Sequence, residues 1–255
     1  MLSVHPDWLA VDDTGTASDP EYLWVSPANV DVRAHVVAVA RDILTHYAVD
    51  GLHLDRIRTP GAVFSHDAPA MAALGQAQLA DPALTFDAFM TQSVTAMVRE
   101  LDDVLLDVRP DALLTAAVFG IHTVLPGCNT SAGLADAHQD SWAWAADGIV
   151  DALCPMAYWD IDPGSCTDWA TLLDVFLEHS PNRPLWMGMY ATDGTFQIDK
   201  LSARIALSRA RGAAGTVLYS SGLLDETGGW DALRGTPNAP GPYLLDAPVP
   251  DLTWR

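Results

Sequence analysis

His53 and Asp55 are the two residues whose type and spacing point most directly to chemistry. They lie in the segment DGLHLDRIRTP (50–60). Side chains two residues apart on a β-strand share one face, so His53 and Asp55 would point together while Leu52 and Leu54 point the other way. A carboxylate beside an imidazole can act on a bound substrate as a nucleophile or as a base.

The role of Asp55 has a structural alternative. A carboxylate that is withdrawn from water without a partner loses several kcal/mol of solvation, so we expect Arg56 or Arg58 to compensate its charge. The same pairing could simply fasten a loop. The residues alone therefore leave a catalytic Asp55 and a structural Asp55 open.

The elements that must position these residues recur along the chain as a helix followed by a short apolar strand. Amphipathic periodicity predicts helices over 29–47, 85–108, 136–146, 169–178 and 198–211. Apolar runs predict strands over 48–57, 112–121, 149–159, 184–192 and 215–223. This alternation indicates an α/β fold with a parallel sheet and crossover helices.

A (β/α) barrel of the TIM type fits these elements best, because no glycine-rich nucleotide-binding motif opens any helix. A closed barrel has eight strands. We count five, so we expect an incomplete barrel that forms a single domain over 1–235. Residues 236–255 are rich in proline and predict an irregular carboxyl-terminal tail.

The composition excludes several classes of partner. The 255 residues include 13 Lys and Arg against 33 Asp and Glu, a formal charge of −20. Such a charge repels phosphate backbones, so we expect no nucleic-acid partner. No apolar run is long enough to predict membrane insertion. Sugars and other neutral substrates stay open, nothing points to a cofactor, and the oligomeric state is not predicted.

A resemblance to a known family rests on the segment 24–60, WVSPANVDVRAHVVAVARDILTHYAVDGLHLDRIRTP. It resembles the core motif of the glycosyl-hydrolase-like family ten. The matching positions are Pro27, Val32, Arg33, Tyr47, Val49, Asp50, Gly51, His53, Leu54, Asp55, Arg56, Arg58 and Pro60. Segments 5–9, 151–159, 188–191 and 209–224 are similar to further family motifs. The chain departs from the family in having Thr59 where tyrosine is usual and in showing no counterpart of its first three strands.

The resemblance implies a glycoside hydrolase-like barrel that acts on a polysaccharide, with peptidoglycan glycan strands as one substrate. Glycosidic cleavage usually needs two carboxyl groups. Asp55 is the first candidate, as nucleophile or base. Asp160 and Asp193, each just after a predicted strand, are candidates for the second. An inactive glycan-binding barrel is the alternative if the second carboxyl group is missing.

Substrate contacts are expected from side chains near the strand ends. His53 could orient Asp55 or a sugar hydroxyl, and Arg56 and Arg58 follow directly. Aromatic rings stack on the C–H faces of sugars. The expected aromatic contacts are Trp24, Tyr158 and Tyr190.

Metal chemistry and the cellular compartment remain open at this point. His53, Asp55 and His122 would be the ligands of a metal-dependent hydrolase, which is a further alternative, and we expect no metal. Cys128 and Cys166 follow neighbouring strands, so a disulfide between them is conceivable and would suit an exported protein. The amino-terminal residues show no signal-peptide pattern. We expect an extracytoplasmic location only if a preceding region is missing.

Overall fold

The computed structural model describes residues 4–17, 22–191 and 197–245. A short 3₁₀ helix spans Pro6–Trp8. The α-helices are α1 (Val30–His46), α2 (Ala68–Ala80), α3 (Phe86–Val108), α4 (Gly133–Ala137), α5 (Ser141–Asp147), α6 (Trp169–His179), α7 (Ile198–Ala210), α8 (Ser221–Thr227) and α9 (Gly229–Arg234). The strands are β1 (Gly51–Leu54), β2 (Leu113–Phe119), β3 (Ala152–Met156), β4 (Trp186–Tyr190), β5 (Gly215–Tyr219), β6 (Gly235–Thr236) and β7 (Ala239–Pro240).

The first five strands run parallel and follow one another in space in their chain order. β1, β2 and β3 form one ladder, and β4 pairs with β5. A parallel bridge between Leu153 and Leu185 joins β3 to the residue before β4. The five predicted strands are confirmed, and the fold is a (β/α) barrel of the TIM type. A closed barrel has eight strands, of which the described ranges contain these five.

The helices begin where polar side chains cap them. Asn29 accepts a hydrogen bond from the Asp31 amide and starts α1. Thr85 starts α3 in the same way, and Asp168 starts α6 by accepting from the Thr171 amide. Each cap satisfies an amide that has no partner within the helix. These helix starts therefore lie within one residue of the predicted ones.

The main core lies between the outer face of the sheet and the helices. Leu114 and Leu153 on neighbouring strands are fully buried, as are Trp144, Trp169 and Phe176 on the helices. Burial of a large apolar side chain stabilises a fold by about 1.5–3 kcal/mol. This packing fixes the outer face of each strand, so the alternate residues must face the concave inner side.

The sequence prediction differs from the structure where the chain turns sharply. The predicted helix 136–146 is two short helices, because His138 adopts a left-handed conformation with φ of 52° between them. The Gln139 side chain then accepts from the Phe119 amide and donates to the Ile57 carbonyl. The residues between the two helices thereby connect the turn after β1 to the last residue of β2.

Further differences lie in the later part of the chain and at α2. The strand predicted over 215–223 ends at Tyr219, and α8 begins at Ser221. The helices α2, α8 and α9 were not predicted from the sequence. Within the segment predicted as irregular from residue 236, β7 pairs with β6 in a small antiparallel hairpin.

A disulfide joins Cys128 to Cys166, as the sequence allowed. It links the loop after β2 to the loop after β3. Cys154 is a buried free thiol, and burial raises its pKa to about 12. Every helix within the described residues is too short or too polar to cross a bilayer.

Candidate active site

A cavity of about 410 Å³ opens at the carboxyl ends of the five parallel strands. His53 and Asp55 line it together, on the strand face that their spacing predicts. Small and apolar residues of the other strands complete its inner surface: Ala117, Cys154, Met156, Gly188 and Val217. A Cβ atom at Gly188 would lie 2.5 Å from the Pro155 carbonyl oxygen, so only glycine lets β4 approach β3 this closely.

His53 is held by the neighbouring strand. Its Nδ1 lies 2.8 Å from the Thr115 Oγ1, and the two residues are direct partners in the β1–β2 ladder. Burial lowers the pKa of His53, while the charge of Asp55 opposes that shift. The imidazole is therefore neutral at neutral pH, and its Nε2 is the nitrogen that is not engaged with Thr115.

Asp55 both shapes the turn after β1 and lines the cavity. Its Oδ1 accepts a hydrogen bond of 2.8 Å from the Arg56 amide. Arg56 has a φ of 54°, and its carbonyl accepts from the Arg58 amide. The expected ion pair is wrong: among the described residues, the Asp55 carboxylate forms an ion pair with neither arginine.

The reason is that aromatic rings hold both arginines. The Arg56 guanidinium carbon lies 3.9 Å from the centre of the Tyr22 ring. The Arg58 guanidinium carbon lies 4.9 Å from the centre of the Phe119 ring and 5.9 Å from that of Trp24. Such cation–π contacts fix a guanidinium without an anion. Burial lowers the pKa of Arg58, and the charge of Arg56 adds to that effect.

Three tyrosines also line the cavity. Tyr158 follows β3, Tyr190 ends β4 and Tyr219 ends β5. The Tyr158 ring centre lies 4.6 Å from that of Tyr190 and 5.6 Å from that of Tyr219. Burial, reinforced by the charge of Asp55, raises the pKa of Tyr158 to about 12. Its hydroxyl therefore stays protonated and can donate a hydrogen bond.

The polar and aromatic lining residues form two surfaces of the cavity. The charged wall consists of His53, Asp55, Arg56 and Arg58. The tyrosine wall consists of Tyr158, Tyr190 and Tyr219. A sugar bound in the cavity would meet hydrogen-bonding groups and aromatic rings, which is the composition expected of a carbohydrate site.

Trp24 lies in a second cavity, of about 220 Å³, with Tyr22, Pro27 and Val36 among its lining residues. Arg56 and Arg58 line both cavities, so the two are adjacent. The aromatic contact predicted for Trp24 would therefore reach a ligand beyond the arginines and not one beside Asp55.

The two candidates for a second carboxyl group lie elsewhere. Asp160 contacts Lys200 and Arg204 on α7 and lines a different cavity. Asp193 lies outside the described residues. Asp55 is the one carboxylate among the described residues that line the cavity. The assignment of a second carboxyl group to either candidate stays a prediction.

The ligands of the metal alternative are not brought together. His122 is buried and stacks on Trp142 at 3.9 Å between ring centres, and its Nδ1 lies 3.2 Å from the Ser141 Oγ. His53 and Asp55 line a cavity that His122 does not reach. The described part of the chain contains no group of three potential ligands suited to a metal ion.

Thr115 is a hydrogen-bond partner of His53 that the sequence did not indicate, and Tyr219 lines the cavity beside the predicted Tyr158 and Tyr190. Thr115 is a polar residue within the apolar run LLTAAVF, which is a signal for an inward-facing position. Tyr219 ends its strand as Tyr190 ends the preceding one, and the two are direct partners in the ladder.

Comparisons with solved structures show the same fold. The glycoside hydrolase domain of PgaB (BpsB) from Bordetella bronchiseptica superposes with a TM-score of 0.66 at 14% identity, over 89% of this chain and 68% of that one. A β-galactosidase from Bacillus circulans sp. alkalophilus gives a TM-score of 0.60 at 14% identity, over 86% of this chain and 38% of that one.

Sequence comparisons define the family. A glycosyl hydrolase, YngK of Bacillus subtilis, is 24% identical over 196 residues, which is 73% of this chain. The chain spans 37% of the length of that relative. The family model described as Glycosyl hydrolase-like 10 matches residues 1–185. Because this match covers most of the chain and includes the motif that ends in Asp55 and Arg58, the chain belongs to the Glycosyl hydrolase-like 10 family.

Proposed function

We propose that this chain cleaves glycosidic bonds in a polysaccharide and that Asp55 is a catalytic carboxylate. One observation carries the proposal. Asp55 lies beside a neutral His53 at the carboxyl end of a parallel strand, lines a cavity and forms no ion pair within the described residues. Catalytic residues of TIM-type barrels lie at that end of the strands.

In this proposal each wall has its own task. Asp55 attacks the anomeric carbon as a nucleophile or activates a water as a base. The Nε2 of His53 and the hydroxyl of Tyr158 orient the carboxylate or a sugar hydroxyl. The rings of Tyr190 and Tyr219 stack against the sugar and exclude water from one face.

A glycosidase also needs a group that protonates the leaving oxygen, usually a second carboxylic acid. Asp193 is our first candidate, because it follows β4 closely in the sequence. Asp160 is the second, although its contacts with Lys200 and Arg204 hold it in another cavity. The separation of the two carboxyl groups would decide between retention and inversion at the anomeric carbon.

We further propose glycan strands of peptidoglycan as the substrate to test first. The resemblance of the motif over residues 24–60 to the family supports this choice. The same family match supports a saccharide ligand in general. YngK is longer than this chain. An activity that this chain would share with a whole protein of that length is therefore proposed as well.

The test measures reducing ends released from purified peptidoglycan glycan strands, with chitin oligosaccharides and a β-glucan alongside. We expect the wild-type chain to release them and Asp55→Asn to do so at least about 10³-fold more slowly, since the catalytic carboxylate is lost. Asp107→Asn is the control, because Asp107 is exposed and paired with Arg41 on the helices. Equal rates for Asp55→Asn and the wild type would exclude a catalytic Asp55.

A glycan-binding barrel without turnover is the second candidate. It is favoured by the single carboxylate among the described residues of the cavity. Saturable glycan binding by the wild type, unchanged in Asp55→Asn and accompanied by no release of reducing ends, would establish it in place of the hydrolase.

A further inference from the structure

The cavity carries a local charge of the opposite sign to the chain. The whole sequence has a formal charge of −20. The described lining of the cavity includes two guanidinium groups, Arg56 and Arg58, and one carboxylate, Asp55. With His53 neutral, the balance of these groups is positive. An acidic protein that places two of its few arginines here creates a site that favours an anion.

Arg58 brings a hydrogen-bond donor to this site. Its Nη1 is buried and has no hydrogen-bond partner among the described residues. A buried donor without a partner destabilises a fold, and the penalty is larger when the donor is charged. The Phe119 and Trp24 rings contact the guanidinium, and Arg58 also lines the cavity, so a ligand bound there could supply an acceptor.

The chemistry of this group selects the ligand. A guanidinium presents parallel N–H donors that match the two oxygens of a carboxylate. Asp55 does not fill that role, because it forms an ion pair with neither arginine. Arg56 lies two residues away, lines both adjacent cavities and adds a second positive charge.

We infer that Arg58, assisted by Arg56, binds the carboxylate of an acidic sugar and so determines substrate specificity. The inference rests on the proposed function, since it assigns the class of sugar to the same site. The carboxylate could belong to a lactyl ether, as in N-acetylmuramic acid, or to the ring of a uronic acid. Both present the same group to a guanidinium.

The test compares two matched pairs of sugars by isothermal titration and by NMR shifts of the labelled chain. N-acetylmuramic acid differs from N-acetylglucosamine by the lactyl group, and glucuronic acid differs from glucose by the carboxylate. We expect at least one acidic sugar to bind about tenfold or more tightly than its neutral partner. The methyl ester of that acidic sugar should lose the advantage, because its charge is gone and one carboxyl oxygen carries a methyl group.

The variants assign the effect to a residue. Arg58→Met removes the charge and keeps a long apolar stem, so it should bind both members of a pair equally. Arg58→Lys should recover only part of the preference, since an ammonium cannot form the paired contact. Arg41→Met is the control, because Arg41 is exposed and paired with Asp107, and it should keep the full preference.

Three results would overturn the inference: equal affinity for acidic and neutral sugars, no saturable binding of either acidic sugar, or a preference that survives in Arg58→Met. The wild-type comparison with the methyl ester needs no variant, so it stands even if Arg58→Met does not fold. Preference for an acidic sugar without release of reducing ends would refute only the hydrolase. Hydrolysis without such a preference would refute only the role of Arg58. The pair that shows the preference identifies the source of the carboxylate.

Discussion

The two walls of the cavity are built in different ways. The charged wall comes from six consecutive residues, 53–58, at the end of one strand and in the turn that follows. The tyrosine wall comes from three strands, and its members Tyr158 and Tyr219 are far apart in the sequence. Short-range geometry is enough to assemble the first wall, whereas the second exists only after the sheet has formed.

Removing the disulfide between Cys128 and Cys166 should have the largest effect on the two walls. The disulfide joins the loop after β2, next to the charged wall, to the loop after β3, where Tyr158 lies. Replacing both cysteines, Cys128→Ser with Cys166→Ser, should lower the free energy of unfolding by about 3–4 kcal/mol, since it frees a loop with a sequence separation of 38. Urea denaturation measures the change.

The buried thiol provides the control for that experiment. Cys154→Ala keeps the disulfide, and we expect its free energy of unfolding to change by only about 1 kcal/mol. A double serine variant as stable as the wild type would show that the two loops hold their places without the link.

Acid should destabilise the fold through His122, which is buried just after β2. Burial lowers the pKa of His122 to about 4, and the nearby His179 adds to the shift. An unfolded histidine has a pKa of about 6.5, so between these values the unfolded chain binds more protons. The contribution of His122 is fully present above pH 6.5 and is lost as the pH falls to about 4, by about 3 kcal/mol in total.

Urea denaturation at a series of pH values tests this expectation. His122→Gln should reduce the slope of stability against pH, even if its overall stability is lower. An unchanged slope in His122→Gln would contradict the assignment.

Tyr158 belongs to the tyrosine wall but is influenced by the charge of Asp55. We therefore expect its variant to have an intermediate effect on activity. The charge of Asp55 contributes to its raised pKa of about 12, which keeps the hydroxyl a donor at all ordinary pH values. Tyr158→Phe should lower kcat/KM by about ten- to a hundredfold, because it removes the hydroxyl that we propose donates a hydrogen bond to the carboxylate or the sugar. Tyr243→Phe, whose hydroxyl bonds Thr216 outside the cavity, should keep full activity. A similar loss in both variants would argue against a special position of Tyr158.

The smallest effect is expected at the outer edge of the tyrosine wall. Tyr219 is 51% exposed, so its ring can give up only part of its contacts. Tyr219→Ala should weaken glycan binding by about three- to tenfold with kcat unchanged. Tyr47→Ala, which removes an exposed tyrosine after α1, should have no effect on binding. A fall in kcat for Tyr219→Ala would place this side chain closer to the chemistry than the structure does.

The difference between the walls also explains what could be predicted from the sequence. Alternation along β1 was enough to place His53 and Asp55 on one face, and apolar runs located all five parallel strands. The motif over residues 50–60 was enough to indicate the family. These features depend on neighbours in the chain.

The missed features depend on distant contacts. The break at His138 is set by Thr59 and by the bonds of Gln139 to two strand ends. The ion pair expected for Asp55 fails because Tyr22, Phe119 and Trp24 hold the arginines instead. The partner of His53 is Thr115, 62 residues further on. Local patterns contain no information on which aromatic ring or hydroxyl will face a given side chain.

The contrast between an acidic exterior and a cavity that holds two arginines affects how an anionic ligand arrives. At low ionic strength the total charge of −20 slows the approach of such a ligand, while the guanidinium groups attract it only over short distances. Added salt, with a Debye length of about 10 Å at 0.1 M, screens the distant repulsion more than the close attraction. Association of an anion should therefore accelerate with moderate salt, the reverse of electrostatic steering between opposite charges.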